Sequence, residues 1–411
     1  MPLPALRALD IFPIEREGRT YFCLKDPQGL ADKVALLTTQ QFFIAACLNG
    51  RAEPADIAAI FAERFQDAVL KTSDIEKAAA VLDENLFLDS SKFREHLGRV
   101  KKEYARLTPR PAAFAGSGYE ADPIALARRL EACFEPPGPG RIPDSRQGDL
   151  VGLVAPHIDF GRGGSGYAWA YREIPSAPSA DLYVIFGVAH AGIGLPFALS
   201  LKDYETPFGK APVDRDLGRA FVREAGRDVL EHELAHRTEH SIEFQAVWLR
   251  YRTRESNRSF KILPILCSSF SNGNGSVDST AQQALECLEV CLKNYQGRAC
   301  LVAGVDLAHV GPRFGDEEPV DKLIGPMEAG DRASLDRVLA KDAEGFYRSV
   351  MEDGGKRKGC GLGALYAFTW LLKRLHPNAQ GRLLYYSHAP DPAGGEVSFA
   401  SMAFYENLVK T

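Results

Sequence analysis

DLVGLVAP runs into His157, DLYVIFGVA runs into His190, and ACLVAGV runs into Asp306 with His309 three residues further on. Each is an apolar strand-like run that ends on a group able to bind a metal or move a proton. In open α/β sheets, ligands gather outside the carboxyl ends of the strands, because loops and helix N-termini converge there. A single histidine in such a place reads more simply as a core or capping residue. Recurrence at one topological edge turns the reading toward a site.

Cys360 adds a sulfur donor. It lies between Gly359 and Gly361 in RKGCGLGALYAFTWLLKRL, at the start of an amphipathic helix and just after Lys356, Arg357 and Lys358. A helix N-terminus and basic neighbours both favour the thiolate, which is the form that binds a metal. The plainer alternative is that the two glycines mark a tight turn and the cysteine is filler. Two imidazoles and one thiolate leave coordination positions open, which suits Fe(II) or Cu, accommodates Zn, and leaves room for a substrate or dioxygen. On this reading His309 is the acid or base over the open face, and Asp306 fixes its tautomer or stands behind the ligands.

Two other patterns compete. His232, His236 and His240 are spaced by four and would form a chelating stripe on one continuous helix. Arg237-Thr238-Glu239, however, reads as a fresh helix start capped by Thr238, which breaks the stripe. That leaves His240 and Glu243 as polar wall residues lining the pocket, and His232 and His236 as loop or surface groups. Gly161, Gly163 and Gly166 satisfy GxGxxG after a strand and before a helix, yet the next strand ends in Ala189-His190 rather than in the acid that would hold a ribose. No nucleotide cofactor is assigned. A GxSxG nucleophile elbow is missing, so a serine hydrolase has no support.

The elements that must position these groups fall into two parts. Residues 1 to 107 read as a small α+β domain: a hairpin with its turn near Gly18, a helix after Thr38-Thr39, a second with Pro54 in its first turn, and a third opened by a Ser/Asp cap at TSD. A short apolar strand closes it. This order resembles a winged-helix-like domain of the peptide-recognition, PqqD-like kind. A charged helix then passes into a Pro-rich stretch, which marks a boundary near residue 107. From 108 to 411, continuous apolar runs (DLVGLVAP, DLYVIFGVA, FKILPILCSS, ACLVAGVD, RLLYYSHA, GEVSFASMAFYE) alternate with helices. That pattern predicts an α/β domain whose largely parallel or mixed central sheet is flanked by helices.

Composition agrees with a globular chain: 411 residues, 45% hydrophobic, 25% charged, with a formal charge of -5. Without a basic block, nucleic acid is a poor partner. No apolar run approaches the ~20 residues that cross a bilayer, and the N-terminus lacks a signal-like pattern, so a soluble, cytoplasmic protein with no membrane partner is expected. The eight cysteines are scattered, with no CxxC pair, and read as reduced thiols.

VAPHIDFGRGGSGYAWAYREI, the GVAH of His190, LSLKDYETPFGKAPVDRDL, AHRTEHSIEFQAVWLRY, VAGVDLAHVGPRFGD and KGCGLGAL follow one another as in the Memo family, also called AmmeMemoRadiSam system protein B. PRPAAFAGSGYEADPIALARRLEACF resembles the opening of that domain, so the likeness covers about residues 108 to 408. The resemblance implies a fold similar to class III extradiol dioxygenases and a metal pocket whose ligands carry over to His157, His190 and Cys360, with Asp306 and His309 beside it. In the dioxygenases the third ligand is a carboxylate, so with Cys360 in that place ring cleavage does not follow. Ile158-Asp159-Phe160 stands where a small residue, Gly and Tyr are common. The family name implies a radical-SAM companion protein.

The leading expectation is metal-dependent redox chemistry, with Fe or Cu at His157, His190 and Cys360 acting on a small molecule or peptide. An alternative is a non-catalytic module that captures a peptide through the same pocket and the N-terminal domain. A weaker one is zinc hydrolysis.

Overall fold

The computed structural model describes residues 1–66, 70–140, 148–176, 179–225, 229–271 and 275–407. They divide into two compact units, Met1–Arg106 and Leu107–Thr411.

In the first unit, β1 (Asp10–Arg16), β2 (Arg19–Lys25) and β3 (Ala35–Thr38) form an antiparallel sheet in sequence order. Glu17 and Gly18 join β1 to β2, and both have positive φ (54° and 71°), as a two-residue turn matched to strand twist requires. Four helices follow: α1 (Thr39–Cys47), α2 (Pro54–Arg64), α3 (Thr72–Glu84) and α4 (Ser91–Arg106). Thr38 and Gln41 close a reciprocal capping box on α1, and Pro54 opens α2. The Ser/Asp cap expected for α3 does not form, because the helix already includes Thr72 and its N-cap is Lys71. The short closing strand is a single bridge, Leu6 to Leu88.

The second unit is a mixed eight-stranded sheet. Its members are β4 (Asp149–Ala155), β5 (Leu182–Val188), β6 (Phe197–Leu199), β7 (Lys261–Cys267), β8 (Ala299–Gly304), β9 (His309–Val310), β10 (Gln380–Asp391) and β11 (Gly395–Glu406), in the order β10-β11-β4-β8-β5-β7-β6, with β9 paired to β11. Only the middle is parallel: β4 to β8, β8 to β5, and β5 to β7. The C-terminal hairpin β10-β11 adds antiparallel on one side, and the three-residue β6 does so on the other.

Both faces of the sheet are covered, which explains the unbroken apolar runs. Val154, Val184, Phe186, Leu301 and Ala303 face one core, whereas Leu153, Tyr183, Ile185, Cys300 and Val302 face the other. The first core packs against α7 (Arg215–Glu224), α9 (Ser279–Lys293), α10 (Val320–Leu339), α11 (Ala343–Met351) and α12 (Leu362–Leu375). The second packs against α5 (Pro123–Ala132), α6 (Phe160–Tyr171) and α8 (His240–Thr253). Among the described residues no helix is long and apolar enough to cross a membrane.

Candidate metal centre

Strand order decides where the polar chain ends meet. Because β8 lies between β4 and β5, the residues just past their carboxyl ends, His157, Asp306 and His190, stand side by side on neighbouring strands. Adjacent strands are only ~4.8 Å apart, so side chains from these three ends can share one point. Two helix N-termini close over that point from opposite faces: α8 brings His240, and α12 is preceded by Cys360. Each helix end carries partial positive charge, which favours anionic groups there.

His157 is buried, and its orientation is fixed from three directions. Its Nδ1 lies 2.9 Å from the Gly304 carbonyl, the geometry of a donated hydrogen bond that leaves Nε2 free. Asp306 Oδ1 accepts from the backbone N–H of His157 at 2.9 Å and of Ile158 at 3.2 Å. The free Nε2 looks at Cys360 Sγ, 3.4 Å away, and at Asp306 Oδ2, 3.5 Å away. Burial opposes protonation of this imidazole, but Asp306 and Cys360 outweigh it and lift its pKa to about 9.

His190 is tied by Glu239, whose Oε1 and Oε2 lie 3.1 and 3.0 Å from its Nδ1 and whose Oε2 also accepts its backbone N–H. The rings of His157, His190 and His240 pack together, with centroids 4.9 to 5.3 Å apart. Their ligand nitrogens lie within 4.8 Å of one another, as in a set able to hold a metal ion. His240 is therefore more than a wall residue. Burial, with His157 and His190 nearby, lowers its pKa to about 4, so its ring is neutral and carries a lone pair.

The thiolate is favoured at Cys360 for a reason other than the one its sequence neighbours suggest. Arg357 is consumed by Asp331 and Asp353, and Lys358 by Asp316. Burial pushes the thiol up, and the imidazoles of His157 and His309, with contacts to His157 and His190, reverse that and bring it down to about 5. Nor do the flanking glycines make a turn by positive φ; Lys358 does that, at 47°. They permit close approach: a Cβ on Gly361 would lie 2.7 Å from Val305 Cβ and 2.8 Å from the Asp306 carbonyl, and one on Gly359 would lie 3.2 Å from the Leu307 carbonyl. The helix that follows is buried on every side from Leu362 to Leu372, not amphipathic, because it runs between the sheet and other helices.

Other placements depart from expectation. Asp306 turns to His157 and does not fix the tautomer of His309, whose Nδ1 is buried without a hydrogen-bond partner and whose backbone N–H goes to the Arg357 carbonyl. Glu243 does not line the pocket. It is fully buried one turn along α8 and receives Arg110 Nη1 at 2.6 Å, the N–H groups of Ala113 and Phe114, and the Tyr119 hydroxyl. His236 is not a surface group but is wholly buried between Tyr204 and the Ala198 carbonyl. The histidine stripe is indeed broken, since 233–238 form a 3-10 turn, but the cap of α8 is Glu239 rather than Thr238. The glycines of GxGxxG lie inside α6, where Gly163 and Gly166 meet Ile158 and Phe399 closely; the Asp159 carboxylate occupies the N–H groups of Gly161 and Arg162 that a phosphate would need.

Three residues escaped the sequence reading: Glu239, Ser241 and Gln245. Ser241 Oγ accepts from Val188 N–H at 2.9 Å and Gln245 Nε2 donates to the Pro156 carbonyl at 2.9 Å, so α8 pins the ends of β5 and β4. Their four-residue spacing places them on one helix face, but nothing local says what that face meets.

Fold and site together define an α/β protein with a cluster of imidazoles and one cysteine sulfur at the carboxyl edge of a mixed sheet. Residues 110–403 match the family described as Memo-like protein, and the chain belongs to the Memo family. A MEMO1 family protein of Aquifex aeolicus is 25% identical over 403 residues, covering 98% of this chain and all of the relative. One of Methanothermobacter thermautotrophicus is 31% identical over 297 residues, 72% of this chain and 98% of the relative. One of Methanosarcina mazei is 30% identical over 285 residues, 69% and 94%.

Proposed function

We propose that this Memo-family chain holds one Fe or Cu ion through His157, His190 and Cys360 and carries out redox chemistry on a small molecule or peptide. The observation that carries the reading is the convergence of Cys360 Sγ and His157 Nε2 at 3.4 Å, with His190 and His240 packed against His157. Donor atoms around a four-coordinate ion bound at 2.0 to 2.3 Å are separated by about 3.5 Å, so the spacing suits a shared ion. The donor set suits it too, since His157 and His190 each have Nδ1 engaged by an oxygen, the arrangement that turns Nε2 toward a metal.

Bound there, a redox-active ion supplies one-electron chemistry at positions the protein leaves open. The chain's own groups do the rest. Glu239, held below the usual carboxylate range by His190 and His240 against the effect of burial, supplies negative charge behind the imidazoles. His309, whose Nδ1 lacks a partner, is the group placed to exchange a proton with a reactant, and Phe314 packs edge-on against it. Asp306 holds His157 and the strand end.

Purification without oxygen, metal analysis and oxygen-uptake assays test this. Stoichiometric Fe or Cu with turnover is the expected result; neither metal bound at purified concentration overturns it. The cluster of three imidazoles favours one second reading, zinc hydrolysis, for which three nitrogens with an open fourth position are a known arrangement. Stoichiometric zinc with no response to oxygen or reductant selects it. A radical-SAM protein is the proposed companion, and pull-down with the full chain tests it.

A further inference from the structure

We propose that Glu239 is a positioning residue serving two imidazoles at once, turning both His190 and His240 so that their Nε2 atoms face the point shared by His157 and Cys360. The carboxylate is nearly buried and sits at the N-cap of α8, where Oε1 accepts from Ser241 N–H at 2.9 Å and is locked in place by the helix end. From there both oxygens are within hydrogen-bond reach of His190 Nδ1, and Oε1 makes an electrostatic contact with His240 Nδ1 at 3.3 Å. The two rings lie nearly parallel, 15° apart with centroids at 4.9 Å, as expected for imidazoles hung from one anchor. The Glu239 backbone is held as well, since its carbonyl accepts Arg110 Nη2 at 2.9 Å, so the anchor cannot swing away.

A carboxylate can do this and an amide cannot. Glutamate offers two acceptor oxygens with about four lone-pair sites, enough for the Ser241 N–H, the His190 backbone and imidazole N–H groups and the contact with His240 Nδ1, whereas glutamine offers one oxygen and an NH2 that repels N–H donors. Anionic partners on Nδ1 also raise the basicity of Nε2. His240 thereby joins His157, His190 and Cys360 as a fourth group facing the centre.

The test uses the full-length chain. In the metal-free 15N-labelled protein, imidazole N–H protons of His190 and His240 Nδ1 are expected at low field and protected from exchange, with the His157 Nδ1–H that meets Gly304 as an internal reference. E239Q is expected to retain at most one of the first two and to leave the His157 signal unchanged. Absence of both protons in the wild-type protein, a measurement that needs no variant, or persistence of both in E239Q, overturns the inference. The consequence for a metal rests on the function proposed above and is read by cobalt(II) titration: E239Q is expected to bind roughly ten- to a hundredfold more weakly while keeping the thiolate-to-cobalt absorption of Cys360. Wild-type protein that shows both protons yet takes up no cobalt refutes the metal reading and leaves the anchor standing. Equal cobalt affinity in the two proteins refutes the anchor and leaves the metal reading intact.

Discussion

At the scale of single residues, Cys360 is set apart from six of the other thiols by the direction in which its surroundings move its pKa. Burial pushes up Cys47, Cys133, Cys267, Cys287, Cys291 and Cys300, whereas imidazole neighbours bring Cys360 down to about 5. Bimane labelling of the metal-free protein should therefore modify Cys360 selectively at pH 6, where an ordinary thiol is almost wholly protonated; labelling spread over several cysteines counts against the thiolate. C360S should abolish any thiolate-to-metal absorption. His236 gives a separate, stability-linked signal. Burial, aided by Arg110, lowers its pKa from 6.5 to about 3, so the unfolded chain binds more protons than the folded one between those values. Stability contributed by this neutral ring is complete above pH 6.5 and declines as pH falls toward 3. Urea midpoints measured from pH 7.5 to 4.5 should drop less steeply in H236Q than in the parent.

At the scale of elements, α8 is the part that aligns the others. Its first turns carry Glu239, His240, Ser241, Glu243 and Gln245, and each addresses a different neighbour. Glu243 and Arg110 form a fully buried ion pair that straps residues 110–119 across the start of the helix. E243A leaves the guanidinium buried without its carboxylate and should cost roughly 3–5 kcal/mol in urea unfolding; a loss below ~1 kcal/mol would show that the strap is dispensable. On the other face, G361A forces a methyl group against Val305 and the Asp306 carbonyl. It should cost about 1–3 kcal/mol and weaken metal uptake by moving Cys360 away from His157, whereas G325A in α10, where a Cβ has open space and φ is not positive, should leave uptake as it was.

At the scale of the molecule, every residue assigned to the centre lies in Leu107–Thr411. The Methanothermobacter relative is matched over 98% of its own length by 72% of this chain, so a protein of roughly the second unit's size exists alone there. Expression of 107–411 should give a folded protein with the metal stoichiometry of the full chain. An unfolded product, or one without the ion that the full chain binds, would assign the first unit a part in the site. The Aquifex relative aligns along 98% of this chain, so the sequence of both units has a counterpart there.

The strands were legible in the sequence because a sheet buried on both faces needs uninterrupted apolar runs, and four of the six runs named became the parallel core β4, β5, β7 and β8. His157, His190, Asp306 and Cys360 were legible as well, since each falls where a strand ends or a helix begins. Sequence could not supply the strand order, which is a matter of pairing between distant segments, and only the placement of β8 between β4 and β5 sets those residues side by side. It also missed Glu239, Ser241 and Gln245, assigned Glu243 to the wrong surroundings, and attributed the thiolate to the helix N-terminus and the nearby lysines and arginine. The electrostatic field at Cys360 comes from residues 203 and 51 positions away, His157 and His309, and a charge pattern read along the chain weighs only the near ones.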